Sequence, residues 1–169
     1  FEATEHLISS GCKMPIIAMH SRTSSSGKER YAGFKDALKK NNIPFSEKAN
    51  VLIADTHKNS FAEDIKKFIV TNSDVDGVFA INDSIALELV VNLTKLGKKI
   101  PQDIKIIGFD NTPQDRYSSP TLSSVKQDTE KIALAAVKNL LHVIANPSET
   151  GNSIIVPVSL VIRDSSLPM

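Results

Sequence analysis

Two runs constrain this chain most: Val78–Ser84, VFAINDS, and Ile104–Asn111, IKIIGFDN. Each is a short, unalternating apolar stretch with β-branched residues. Each breaks at its C-terminal end into polar residues, Asn82-Asp83 in one and Asp110-Asn111 in the other. A strand that is apolar on both faces belongs in the interior of a parallel sheet, covered by helices on both sides. In open sheets of that kind, ligands bind beyond the carboxyl ends of the strands. Asn82 and Asp110 are therefore two candidate corners of a small-molecule site.

The rest of the chain supplies the helices such a sheet needs. The spacing of Phe1, Ala3, Leu7 and Ile8 predicts a helix over 1–10, stopped by Gly11. Met14–Met19 reads as a strand, Ser21–Gly27 as a polar loop, and Lys28–Asn41 as a helix striped by Tyr31, Phe34, Ala37 and Leu38. A strand over Val51–Ala54 and a helix bearing Phe61, Ile65, Phe68 and Ile69 follow. The strand Gly77–Ile81 leads into a helix carrying Ile85, Leu89, Val90, Leu93 and Leu96, capped by Asn82 or Asp83 and stopped by Gly97. After strands over Ile104–Phe109 and Thr121–Lys126, Asp128 caps a long helix with Ala133, Ala136, Val137, Leu140, Leu141 and Ile144. Asn146-Pro147 ends that helix, and Ile154–Ile162 is a last extended segment bent at Pro157. This alternation predicts an α/β fold, a Rossmann-like parallel sheet with helices on both faces.

Several function classes are disfavoured. Lys and Arg total 20 against 19 Asp and Glu, with no dense basic run, so the chain carries no electrostatic footprint for nucleic acid. Cys12 is the lone cysteine, so neither an internal disulfide nor a thiolate cluster is available. No apolar run reaches the roughly 18 residues of a membrane span. His6, His20, His57 and His142 are scattered without metal-ligand spacing, and no nucleophile–base arrangement stands out. The seven glycines form no phosphate loop. The expectation is a protein with no catalytic residues, no metal and no cofactor. The chain opens at Phe1, directly in an amphipathic pattern, and reads as a piece of a longer protein; the missing signal peptide therefore says little about export.

A third strand end adds Gln127 to Asn82 and Asp110. A carboxylate and two amides offer both donors and acceptors, which suits a polyhydroxyl or heterocyclic ligand. The bland alternative is that Asn82 and Asp83 only cap a helix and Asp110-Asn111 only form a turn. Arg30 stands just after the polar loop, where a guanidinium either clamps a carboxylate, phosphate or diol or is simply solvated. Arg22, Asp55 and Thr56 are weaker candidates near strand ends. His20 and His57 follow predicted strands, which leaves a place facing the cleft open to them, but surface exposure is the expectation; Asp83 is expected to act as a cap rather than as a ligand contact.

Residues 76–128, DGVFAINDSIALELVVNLTKLGKKIPQDIKIIGFDNTPQDRYSSPTLSSVKQD, closely resemble the effector-binding core of the LacI/GalR transcription factors. EHLISSGCKMPIIAM resembles that family's first helix, glycine and strand, with Cys12 where the family commonly has His. KERYAGFKDAL, 28–38, resembles its Arg-x-x-Gly-aromatic helix, and LVIRDSS, 160–166, its closing Arg-x-Ser segment. The resemblance spans about 165 residues of the chain. It implies one lobe, the C-terminal one, of a periplasmic-binding-protein-like (type I) fold over 1–169. The helix 128–146 would pack in a second, N-terminal lobe, and the DNA-binding domain would lie outside this chain. It assigns Arg30, Asn82, Asp110 and Gln127 to effector contact. It further implies a cytoplasmic homodimer that senses a sugar or nucleobase-like effector, binds operator DNA through an N-terminal domain, and has a subunit contact near Thr112–Thr121. Arg163 is given a structural role. A periplasmic sugar-binding protein shares the fold and much of the site and is the second reading; a nucleotide-using α/β enzyme is the third.

Overall fold

The structure is a computed structural model and describes residues 1–20, 24–53 and 61–168. Five strands run parallel: β1 (Pro15–Met19), β2 (Val51–Ile53), β3 (Gly77–Ala80), β4 (Lys105–Asp110) and β5 (Ser123–Lys126). A sixth, β6 (Ser159–Val161), pairs antiparallel with β5. The order across the sheet is β2-β1-β3-β4-β5-β6. The chain steps outward from β1 to β2 and then returns to the other side of β1 for β3. That reversal opens a crevice at the carboxyl ends of β1 and β3, the place where such sheets hold ligands.

Helices α1 (Glu2–Ser9) and α2 (Ser25–Lys40) pack together on one face, and α4 (Phe61–Thr71) and α5 (Asp83–Lys95) on the other. A short helix, α3 (Glu47–Asn50), sits ahead of β2. Successive residues of β4 show the two faces. A Cβ on Gly108 would meet Asp83 and Ala86 of α5, whereas Phe109 lies under Arg30 of α2. β1 and β3 are buried along their whole length, as unalternating apolar runs require. Ile16, Ile17, Val78, Ile106 and Ile107 from the sheet meet Leu7, Phe34 and Leu38 on one side and Ile65, Leu89 and Leu93 on the other, all buried.

The expected strands and helices are present, with instructive shifts. α2 begins at Ser25, three residues before Lys28, because the Ser24 hydroxyl accepts from Gly27 N at 3.1 Å and caps it. Part of the serine-rich stretch is therefore helix, not loop. α3 was not legible: it is held from outside, by Asn50, whose side chain accepts from Ser46 N and donates to Pro15 O. The last extended segment pairs with the sheet only over Ser159–Val161, while Ile154 and Ile155 are exposed. α5 does carry apolar residues outside its core stripe, with Val91 exposed and Leu87 half-buried.

The final helix, α6 (Thr129–Ala145), is capped by Asp128, whose Oδ1 accepts from Lys131 N at 3.0 Å. None of its residues is buried. Leu140, Leu141 and Ile144 are 59%, 60% and 64% exposed, so its apolar stripe faces no layer of this sheet. The following segment lies beside it, through Asn139 and Asn152, whose amide and backbone groups exchange hydrogen bonds of 3.1 and 3.0 Å. Among the described residues no helix is long and apolar enough to cross a membrane.

Candidate ligand-binding site

The strand ends converge. Gln127 Nε2 donates to Asp110 Oδ1 at 2.8 Å, and Arg30 Nη2 lies 3.9 Å from the same oxygen. The Arg30 guanidinium stacks over the Phe109 ring at 3.6 Å and donates through Nη1 to Ile81 O. It is thus fixed on two sides, with one edge left toward Asp110. Asn82 sits one residue beyond Ile81. Its Oδ1 accepts from Ile85 N at 2.9 Å, and its Nδ2 faces His20 Nε2 at 3.3 Å. The structure therefore brings Arg30, Asp110 and Gln127 into direct contact, and sets Asn82 beside them across the β1–β3 crevice.

Three assignments change. Asn82, not Asp83, is the helix cap, so the amide spends its oxygen on α5 and keeps its nitrogen for the crevice. Asp83 is fully buried instead, accepting from Ser124 Oγ at 2.6 Å and from Thr112 N at 2.8 Å. His20 is not a surface residue: it is half-buried at the end of β1, and its Nδ1 is buried without a hydrogen-bond partner among the described residues. The strand-end rule that picked out Asn82 also applied to His20. Phe109 was another missed member, an aromatic platform directly before the acidic corner. Arg22, Asp55, Thr56 and His57 lie outside the described residues.

Burial shapes the charges. Asp110 is raised from the ordinary carboxylate range by desolvation, against the attraction of Arg30 and the Gln127 hydrogen bond. Arg30 is lowered by its own desolvation, against Asp110, Asp83 and Glu29. Each group is short of water, so a ligand hydroxyl that bridges them replaces lost solvation. A cavity of about 260 Å³ opens behind Arg30, walled by Phe79, Phe109 and Val125. Among the described residues no group of three or more His, Cys, Asp or Glu is placed to hold a metal.

Asp110 is aimed by an unusual turn. Asp110 has φ 119° and Asn111 has φ 55°, two consecutive non-glycine residues in the left-handed half of backbone space. Each such residue costs on the order of 1–3 kcal/mol and persists only where surroundings over-determine it. Here Asn111 N donates to Ser124 Oγ at 3.0 Å, Thr112 N donates to Asp83, and Arg163 Nη2 donates to Asn111 Oδ1 at 2.6 Å. Below them lies Asp115, fully buried, accepting from Thr112 Oγ1 at 3.1 Å. Burial first, and Asp83 second, push the Asp115 carboxyl up to about 7.

Residues 4–166 match the family model of the periplasmic binding protein-like domain. The chain belongs to this family. The LacI/GalR resemblance is borne out by the periplasmic-binding-protein-like relatives it matches. The ribose operon repressor of Halalkalibacterium halodurans is 27% identical over 165 residues, covering 97% of this chain and 48% of that protein. The HTH-type transcriptional repressor PurR of Actinobacillus pleuropneumoniae is 33% identical over 142 residues, covering 83% and 41%. A LacI family transcriptional regulator from Enterococcus faecium, solved with bound ribose, superposes with a TM-score of 0.85 at 28% identity, covering 99% and 62%. The chain spans about half the length of the curated relatives it matches.

Proposed function

We propose that this chain is the effector-sensing C-terminal lobe of a LacI/GalR-type transcriptional regulator, with Arg30, Asn82, Asp110 and Gln127 lining one wall of the ligand site. The observation that carries the reading is Asp110, held between Gln127 and Arg30 at the strand ends where an open α/β sheet takes its ligand. Acceptor, amide and guanidinium in that order suit adjacent hydroxyls, so the effector is a sugar or a related small metabolite. The names of the matched relatives favour a regulator over a transporter's binding protein, and a regulator works in the cytoplasm without catalysing a reaction. The exposed stripe of α6 suits a helix whose packing layer is a second lobe.

In this reading ligand closes two lobes on one another, and the closure changes the spacing of paired DNA-binding domains in a homodimer. The ligand acts only through its differential affinity for the open and closed states. The isolated chain holds half of the site and none of the DNA-reading surface. Isothermal titration of the complete two-lobed protein against pentoses, hexoses and nucleobases is expected to give micromolar binding for one class, about −8 kcal/mol. Asp110→Asn then weakens it tenfold or more. A parent that binds while Asp110→Asn binds equally well refutes the site. Micromolar sugar binding by the isolated chain, or an operator gel shift with it, refutes the division of labour.

A further inference from the structure

We propose that Arg163 is a positioning residue for the ligand site, holding the left-handed Asp110–Asn111 turn that aims Asp110 into the crevice. The proposal rests on the site reading above and extends it to a residue that touches none of the ligand-facing groups. The Arg163 side chain is 14% exposed. One arm of its fork, Nη1, donates to Leu122 O at the head of β5; the other, Nη2, donates to Asn111 Oδ1 at 2.6 Å. Nη1 also lies 3.9 Å from Asp115 Oδ2. The guanidinium therefore spans the gap between β5 and the turn after β4, and its grip falls on the side chain of the residue that follows Asp110.

The geometry makes that grip consequential. Asp110 and Asn111 both have positive φ, so the turn left to itself relaxes toward extended or right-handed backbone. Relaxation rotates the Asp110 carboxylate away from Gln127 Nε2 and Arg30. Ser124 and Asp83 hold the backbone amides on the far side of the turn, and Arg163 holds its side chain. A lysine keeps the charge near Asp115 but presents a single point donor, and it cannot span Leu122 and Asn111 together.

Arg163 also comes from a particular place in the chain. It follows β6, the segment that returns from the unpacked helix α6. Its backbone is pinned as well: its N–H donates to Ser123 Oγ at 2.7 Å and its carbonyl accepts from the same hydroxyl at 3.0 Å. A displacement of the returning segment is thus carried by one rigid fork to the aim of Asp110.

The test is a double-mutant cycle on the full-length protein, with D-ribose as the probe. Arg163→Lys is expected to raise the ribose dissociation constant tenfold or more. Asn111→Gly, which adopts positive φ freely but lacks the acceptor, is expected to weaken ribose by a similar factor. The two together are expected to cost less than twofold beyond either alone, because both remove one contact. Backbone chemical shifts of Asn111 form a second arm that needs no ligand: the left-handed signature present in the parent is expected to be lost in Arg163→Lys. Ribose affinity within twofold of the parent in either single variant overturns the proposal, and so does full additivity, or a left-handed Asn111 in Arg163→Lys. A parent that binds no ribose overturns ribose as the effector and leaves the wider sugar reading to the titration above, and the chemical-shift arm then decides the role of Arg163 by itself. Should Arg163→Lys not fold, the affinity of Asn111→Gly decides.

Discussion

Asp115→Asn should remove most of the pH dependence of this lobe's stability between pH 4 and 8. Asp115 is fully buried, and its Oδ2 has no hydrogen-bond partner among the described residues. Its neighbour Asp83 is equally buried, with its oxygens already taken up by Ser124 Oγ and Thr112 N. Burial first, and the neighbouring Asp83 second, disfavour a charge on Asp115, so its pKa is raised from 3.8 to about 7. In the unfolded chain the same group ionises near its ordinary value. Between those two points the folded state binds more protons, so stability is greatest at low pH and falls as pH rises toward 7. The slope is about 1.4 kcal/mol per pH unit and the total on the order of 4 kcal/mol, with the opposing attraction of Arg163 already included in the shift. Asparagine has the shape of the protonated acid and carries no charge at any pH. Urea unfolding of parent and variant across pH 4.5–8 is the assay. The variant is expected to match the parent near pH 4.5 and to exceed it by about 3–4 kcal/mol at pH 8, roughly 6–16 °C in Tm for a chain of this size. A difference between the two that stays flat with pH refutes the raised carboxyl. A variant destabilised equally at every pH refutes it too.

Two further outcomes follow from packing. Gly108→Ala places a Cβ 2.2 Å from Asp83 Oδ1 and 3.3 Å from Ala86 Cβ, and neither can move far. A loss of at least about 2 kcal/mol in urea unfolding is expected, and a loss under 0.5 kcal/mol sinks the close-approach account. Leu140→Ser with Leu141→Ser alters two side chains that contribute nothing to this lobe's core, so stability is expected to hold within about 0.5 kcal/mol. Sedimentation velocity on the isolated chain should show less concentration-dependent association in that variant; a large stability loss would mean that α6 packs on the sheet after all.

What was legible in the sequence followed strong local signals. The parallel core announced itself in runs such as VFAI and IKII, because a strand buried on both faces has no polar alternation. The placement of Asn82, Asp110 and Gln127 at strand ends was legible because each directly follows or ends an apolar run, although Asn82 also caps α5. His20 obeys the same rule at β1, but choosing between cleft and surface needs the strand order, which shows that β1 and β3 flank the crevice. Asp83 and Asn82 could not be told apart as caps, since both residue types cap helices and the choice turned on Ser124 and Thr112, more than 28 positions away. The grip of Arg163 on Asn111 spans 52 positions, and no periodicity reports a contact of that range. The left-handed turn was hidden for a different reason: neither of its two residues is a glycine, the usual mark of positive φ.

His6 and Ser166 stand 160 positions apart and touch, His6 Nε2 lying 3.1 Å from Ser166 O and 3.2 Å from Ser166 Oγ. The first helix and the closing segment are therefore tied together on one side of the sheet. The same closeness makes the lobe portable. A host chain opened to receive it needs to part by little more than the gap between two hydrogen-bonded residues, which is among the least costly loops to close.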